Sequence, residues 1–236
     1  MSDAPADGAW TREGGTVRAL IATGTGRYGD PWHPYPATSA LIAQVLEDAG
    51  FDAATDTDVE HAMASLADVD LLVVNAGDPW RGDAAAQESP VASVTGLAAA
   101  LERGIGVLGL HAAVSSLRDY PCWGPAIGAV WLPGMSWHPP AGRTIVHPTG
   151  AHGGPVGDFE AFGVLDERYL RLQRLGTSTV VAEFEHCGVR HPAAWVGTHG
   201  RARVTADLLG HDESSYESAG HRDLVRRLAR WAVARG

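Results

Sequence analysis

Two almost unbroken apolar runs, Val69-Asp70-Leu71-Leu72-Val73-Val74-Asn75 and Ile105-Gly106-Val107-Leu108-Gly109-Leu110, set the tightest limit on how this chain folds. A strand with one solvated face alternates apolar and polar residues, whereas a continuous run belongs to a parallel sheet covered on both faces. The second run ends at His111, and Ala112 and Ala113 follow at once. A buried strand, one chemically capable side chain at the turn, then small residues that let a helix begin make up the pattern of a nucleophile elbow. Such an elbow lifts its side chain above the C-terminal edge of a sheet. Here the side chain is an imidazole, not a hydroxyl or thiol, so acyl-enzyme chemistry is not expected from it.

The rest of the chain supplies the partners of these strands. Val17–Thr23 reads as a first strand and Phe51–Thr55 as a short second one. Between them a helix begins near Pro36, with Leu41, Ile42, Val45 and Leu46 on its apolar face, and Gly50 ends it. A helix containing Met63 and Leu66 precedes the Val69 run, and another, Val91–Arg103, precedes the Ile105 run. Strands alternating with helices at this spacing imply a parallel sheet wound by right-handed crossovers. Proline and glycine become frequent between Tyr120 and Pro155, which predicts long loops over the sheet edge instead of new core. From Glu160 onward short strands are expected (179–185, 193–197, 202–209), closed by a helix from about His221 to Ala234 that carries Leu224, Leu228 and Trp231 on one face.

The fold class is therefore α/β: a parallel sheet flanked by helices, with additional short strands in the C-terminal third. Residues 1–15 are expected to be a disordered lead-in and 16–236 a single domain. The 236 residues suffice for a sizeable core. A net charge of −10 with only 18 basic residues argues against a nucleic-acid or anionic-membrane partner. Arg222, Arg226, Arg227 and Arg230 share one C-terminal helix and read as its solvated face. Cys122 and Cys187 have neither metal nor redox spacing, no signal-like apolar segment opens the chain, and the cytoplasm is the expected compartment.

Gly24-Thr25-Gly26-Arg27-Tyr28-Gly29 spells a dinucleotide fingerprint after the first strand, but Pro31, Pro34 and Pro36 deny the helix that must follow its third glycine. Neither NAD nor flavin is expected. The turn reads instead as a device that carries Trp32 and His33 over the sheet edge.

Five short motifs in order then define a resemblance: Gly109-Leu110-His111-Ala112-Ala113, Trp137-His138-Pro139, Asp166-Glu167-Arg168-Tyr169, Pro192-Ala193-Ala194-Trp195, and a strand from Gly200 ending in Leu209-Gly210-His211. The chain resembles the ThuA-like (trehalose utilisation) proteins of the class I glutamine amidotransferase-like superfamily, with a flavodoxin-like fold, from about Val17 to Trp231. The resemblance implies that the amidotransferase cysteine has been lost and glutamine is not hydrolysed. It also implies a role in sugar catabolism, particularly of disaccharides oxidised to 3-keto forms. The chain departs from the family pattern at His152-Gly153-Gly154-Pro155-Val156, where a contiguous His-Pro pair is expected.

His111, His138, Glu167 and His211 each fall where an element should end near one sheet edge, and they are the expected catalytic residues. Three imidazoles and a carboxylate can hold a divalent ion such as Zn²⁺, or they can shuttle protons. Beside a 3-keto group the carbon acid is labile, so isomerase, lyase and hydrolase chemistries all stay open. His33, Trp137, Tyr169 and Trp195 are the expected substrate-binding residues, His33 at the rim and the aromatics against the apolar face of a sugar. The remaining histidines, His61, His147, His186, His191, His199 and His221, read as surface or structural. The expected partner is a small carbohydrate. A homodimer in which the Trp-rich segment 120–140 covers a neighbour's pocket is compatible with the sequence. A non-catalytic sugar-binding or regulatory module of the same fold is the alternative reading.

Overall fold

The computed structural model describes residues 15–81, 87–150 and 154–234. The expected lead-in lies outside this range except for Gly15, as does the departure from the family pattern at His152. The first half of the chain is an α/β alternation: β1 (Val17–Thr23), α1 (Tyr35–Glu47), β2 (Phe51–Asp56), α2 (Val59–Ala64), β3 (Leu71–Asn75), α3 (Val91–Arg103) and β4 (Gly106–Leu110). The second half adds α4 (Trp123–Ile127), β5 (Ala129–Val130), β6 (Gly142–Pro148), β7 (Phe162–Asp166), β8 (Gln173–Arg174), β9 (Ser178–His186), β10 (Val189–His199), β11 (Ala202–Asp207) and α5 (Ala219–Val233).

Among the described residues the main sheet runs β2-β1-β3-β4-β11-β10-β9-β6-β7, and β5 pairs separately with β8. The five strands from β2 to β11 are mutually parallel. From β11 onward the pairing is antiparallel. The sheet is thus mixed, with a parallel core flanked by helices and an antiparallel extension.

The two apolar runs occupy its centre, and every residue of β3 and β4 is buried. Alternation along the strands divides the core in two. Leu72, Val74 and Val107 pack with Met63, Leu97 and Trp123 on one face. Leu71, Val73, Leu108 and Leu110 pack with Ile42, Leu46, Leu224 and Leu228 on the other. Burying a leucine completely stabilises the fold by roughly 1.5–3 kcal/mol, so this double layer is the main restraint on where the strand ends sit. Helix α3 stops at Gly104, whose φ of +94° supplies the left-handed turn into β4.

Two expectations are corrected. The segment after Tyr120 is not merely loops: Tyr120 and Trp123 are core residues, α4 forms between them and β5, and β6 joins the main sheet. Its aromatic side chains outweigh its proline and glycine content, because each buries far more apolar area than a loop can leave exposed. After the elbow the chain makes a 3₁₀ turn, His111–Val114, rather than an α-helix. The carbonyls that would extend a helix are already engaged. Ala112 O accepts from the Ser115 N–H and hydroxyl at 2.8 Å each, and Ala113 O accepts from the Trp123 indole at 2.9 Å.

Candidate metal centre

The C-terminal ends of the parallel strands, together with the exit of β7, converge on one point. His111 leaves β4 with φ +42°, a left-handed conformation rare outside glycine. Gly109, two residues earlier, permits the turn, since a Cβ there would lie 2.5 Å from Ile127 Cδ1. The buried His111 ring places Nδ1 2.8 Å from the Leu208 carbonyl. A carbonyl only accepts, so the proton is on Nδ1 and the lone pair on Nε2 points away from it.

His33 reaches the same point from the loop after β1, as the proline-rich turn predicts, but it stands at the centre and not at the rim. Its Nδ1 lies 2.8 Å from both Asp30 oxygens. Asp30 also accepts from the Trp32 and His33 backbone N–H groups and from the Tyr35 hydroxyl, each at 2.9 Å. With the proton on Nδ1, Nε2 again presents a lone pair inward. Burial works against ionisation of Asp30, yet these donors, His33 foremost, hold its carboxyl well below the usual carboxylate range.

His211 follows β11, and Gly210 before it has φ +109° with Tyr216 packed so close that a Cβ would meet its hydroxyl at 2.7 Å. Glu167 follows β7, the far edge strand of the sheet. The sheet coils enough for the two strand exits to meet: Asp166 accepts from the Gly210 N–H at 2.7 Å and the His211 N–H at 3.3 Å. Glu167 Oε2 then lies 3.5 Å from His111 Nε2 and 3.4 Å from His211 Nδ1, and its Oε1 lies 3.2 Å from His138 Nδ1.

Among the described residues, four buried atoms face one another here without a hydrogen-bond partner: His33 Nε2, His111 Nε2, His211 Nδ1 and Glu167 Oε2. The donor atoms of these four residues all lie within 4.8 Å of one another. A tetrahedral ion with bonds of ~2.0–2.1 Å needs donors about 3.3–3.5 Å apart, and two of the separations already have that value. Three imidazoles and a carboxylate suit Zn²⁺ and neighbouring first-row ions. The residues fit a metal, because leaving four buried polar atoms unpaired would otherwise cost about 1–3 kcal/mol each.

The electrostatics agree. Burial raises the Glu167 pKa, but His111, His211 and His138 outweigh it and hold the carboxyl ionised below its ordinary value. For His111 burial opposes protonation, and Glu167 with Asp166 and the Leu208 carbonyl turns the balance upward. His211 is pushed downward by burial and by His111 beside it.

His138 stands one step outside the four. Trp137 pairs with Leu170 through two backbone hydrogen bonds, at 3.2 and 2.8 Å, which fixes the segment. The half-exposed His138 side chain meets Glu167 Oε1. Tyr169 is buried, its ring centroid 4.3 Å from His111, 4.7 Å from Trp131 and 5.7 Å from His138. It forms a wall of the cluster, and burial raises its phenol far above the usual range, so it stays neutral.

The two expected tryptophan contacts are placed elsewhere. Trp195 is 1% exposed, a core residue whose indole N–H donates to the Ile127 carbonyl at 2.9 Å. Alternation along the extended segment turns Trp137 away from His138, and its ring packs 5.7 Å from His186. Sequence reasoning missed the residues behind the donors. Asp30 sits three positions before His33, and Asp166 immediately before Glu167, both as bare carboxylates beside a histidine or a ligand candidate; that adjacency was the available signal.

The sequence profile of the ThuA (trehalose utilisation) family matches residues 18–232. The chain belongs to the ThuA family. Among curated proteins none matches significantly. A putative ThuA-like protein from Parabacteroides merdae is similar in structure, with a TM-score of 0.72 and 17% identity over 93% of this chain and 90% of that one. Another from Bacteroides uniformis gives 0.69 and 16% over 99% and 96%. The GH42 β-galactosidase Gan42B of G. stearothermophilus shares the fold over 90% of this ThuA chain and 29% of its own, at TM-score 0.56 and 13% identity. The family description points to a carbohydrate-related role, and these likenesses extend to the fold. Among the described residues no helix is long and apolar enough to cross a membrane.

Proposed function

We propose that this ThuA-family protein is a metal-assisted acid–base enzyme acting on a sugar, with a 3-keto-glycoside as substrate. The observation that carries the reading is the convergence of four buried, unpartnered donor atoms from four separate loops. The family description supports the carbohydrate.

His33, His111, His211 and Glu167 would hold the ion. A divalent ion, if bound with room for one ligand more than these four, would supply a Lewis acid that polarises the ketone of the substrate. The remaining steps belong to the side chains. His138 Nδ1 lies between two acceptors, Glu167 Oε1 at 3.2 Å and the Pro139 carbonyl at 3.1 Å, so the proton sits there and Nε2 is free to act as a base. It takes the proton from the carbon beside the ketone while the C–H electron pair forms the enolate. Glu167 keeps the ring oriented and stabilises the imidazolium that results. Collapse of the enolate expels the glycosidic oxygen from the neighbouring carbon, and His138 returns its proton to that oxygen. The C–H and C–O bonds break, a C=C bond forms, and no oxidant or reductant is consumed. Return of the proton to the same carbon instead regenerates the ketone, or its epimer if it arrives on the opposite face.

Deuterium exchange of the α-carbon proton of a 3-keto-glucoside in D₂O, followed by NMR, tests the assignment. The wild type should exchange it, and His138→Ala should slow exchange by about 10²–10⁴-fold, the usual contribution of a general base. Exchange at the wild-type rate in His138→Ala would remove His138 from the chemistry. Sugar binding without exchange in the wild type would favour a non-catalytic module.

A further inference from the structure

Behind the donor cluster lies a second buried polar group that the proposed chemistry does not use. It consists of Asp166, Asp207, Ser215 and His221, the last three fully buried. His221 opens α5 and reads from sequence as one more surface or structural histidine, yet its ring is enclosed. Nε2 lies 3.2 Å from Asp207 Oδ2, and Nδ1 lies 2.9 Å from Ser215 Oγ and 3.1 Å from the Ser215 carbonyl. The Ser215 hydroxyl donates to Asp166 Oδ2.

With both carboxylates ionised, the donors and acceptors allow one arrangement. Asp207 accepts only, so Nε2 carries a proton. The Ser215 proton is committed to Asp166 and its carbonyl also accepts, so Nδ1 carries one too. His221 is therefore an imidazolium between two buried carboxylates. Backbone donors complete their coordination: Leu209 N–H to Asp207 at 3.0 Å, Gly210 N–H to Asp166 at 2.7 Å, and Glu167 N–H to Asp166 at 2.8 Å.

Every one of these backbone groups lies on the two segments that carry donor atoms. Asp166 precedes Glu167. Asp207 precedes Leu208, whose carbonyl orients His111, and the same segment ends at His211. We infer that His221 is a positioning residue: by joining Asp207 to Ser215 and Asp166 it ties the exits of β7 and β11 together and sets the spacing of Glu167, His111 and His211. The inference concerns the site proposed above, but the spacing exists whether or not an ion binds.

The experiment uses the full-length protein and two readouts on His221→Gln, Ser215→Ala and the exposed-surface control His61→Ala. Ser215→Ala is the milder change, since it removes the hydroxyl that joins His221 to Asp166 and leaves the His221–Asp207 pair and the Ser215 carbonyl in place. The first readout is the imidazole ¹⁵N resonances of His111 and His211 in the metal-free protein. The second is Co²⁺ affinity, with its visible absorption spectrum. Both variants should move the His111 and His211 resonances, and Co²⁺ should bind about tenfold or more weakly, in the range found for second-layer groups. His61→Ala should change neither. Folded Ser215→Ala protein with wild-type resonances at both histidines would overturn the inference. If the resonances move but wild type takes up no Co²⁺, the positioning role stands and the metal reading falls.

Discussion

The donors of the cluster are defined by what stands behind them. His111 and His33 both commit Nδ1 to a fixed acceptor, a carbonyl in one case and Asp30 in the other, which leaves Nε2 as the inward lone pair. A carboxylate behind a histidine raises its basicity and fixes its tautomer. Asp30→Asn should therefore weaken metal binding about 10–100-fold, by titration calorimetry, while His33 itself is retained. Unchanged affinity would mean that His33 is not a ligand. At this scale the sequence was partly legible. His111, Glu167 and His211 could be named because each follows a strand, and strand exits of a parallel sheet gather at one edge. His33 could be placed only near the rim, since a proline-rich loop has no period from which a direction follows. Trp195 was misread because a tryptophan near a site and one in the core look alike until its indole partner, the Ile127 carbonyl, is known.

At the scale of elements, the elbow and α5 hold the site from opposite sides of the sheet. The first strand and α3 were legible to the residue and β4 to within one, since continuous apolar runs and a terminal glycine mark their ends. The 120–150 segment was not, because its contribution to the core comes from isolated aromatics without a period. Likewise His221 begins a helix whose arginine-rich exterior draws the eye, while its buried side depends on Asp207, far away in space until the sheet is formed. Burial alone would depress the His221 pKa, but Asp207 and Asp166 outweigh it and raise it above the ordinary value of 6.5. A raised folded-state pKa means that this contribution to stability is present in full below about pH 6.5 and fades as pH climbs through the folded value. Melting temperatures measured from pH 5.5 to 9 should thus fall more steeply on the alkaline side in wild type than in His221→Gln. Parallel curves would show that His221 is not held as a cation.

For the whole molecule, the mixed sheet brings together loops far apart in sequence, from residue 33 to residue 211. Nothing short of the complete fold assembles the four donors, so an ion there should bind the folded state and not the unfolded one. Saturation at a hundred times Kd would stabilise the protein by about 2.7 kcal/mol, or roughly 5–10 °C in melting temperature for a domain of this size. Chelation by EDTA should reverse the shift, and a melting temperature indifferent to both additions would count against binding. The family and the fold were readable from five ordered motifs, three of which sit at the exits of β4, β7 and β11, where the order is set by topology. The convergence itself was not, since it depends on how far the sheet coils before β7 meets β11.

The most direct measurement is anomalous diffraction at the zinc edge from crystals grown with Zn²⁺ in excess. A single peak about 2.0–2.2 Å from His33 Nε2, His111 Nε2, His211 Nδ1 and Glu167 Oε2 is the predicted result. Electron density showing those four side chains in place around an ion-free centre, under the same conditions, would contradict it.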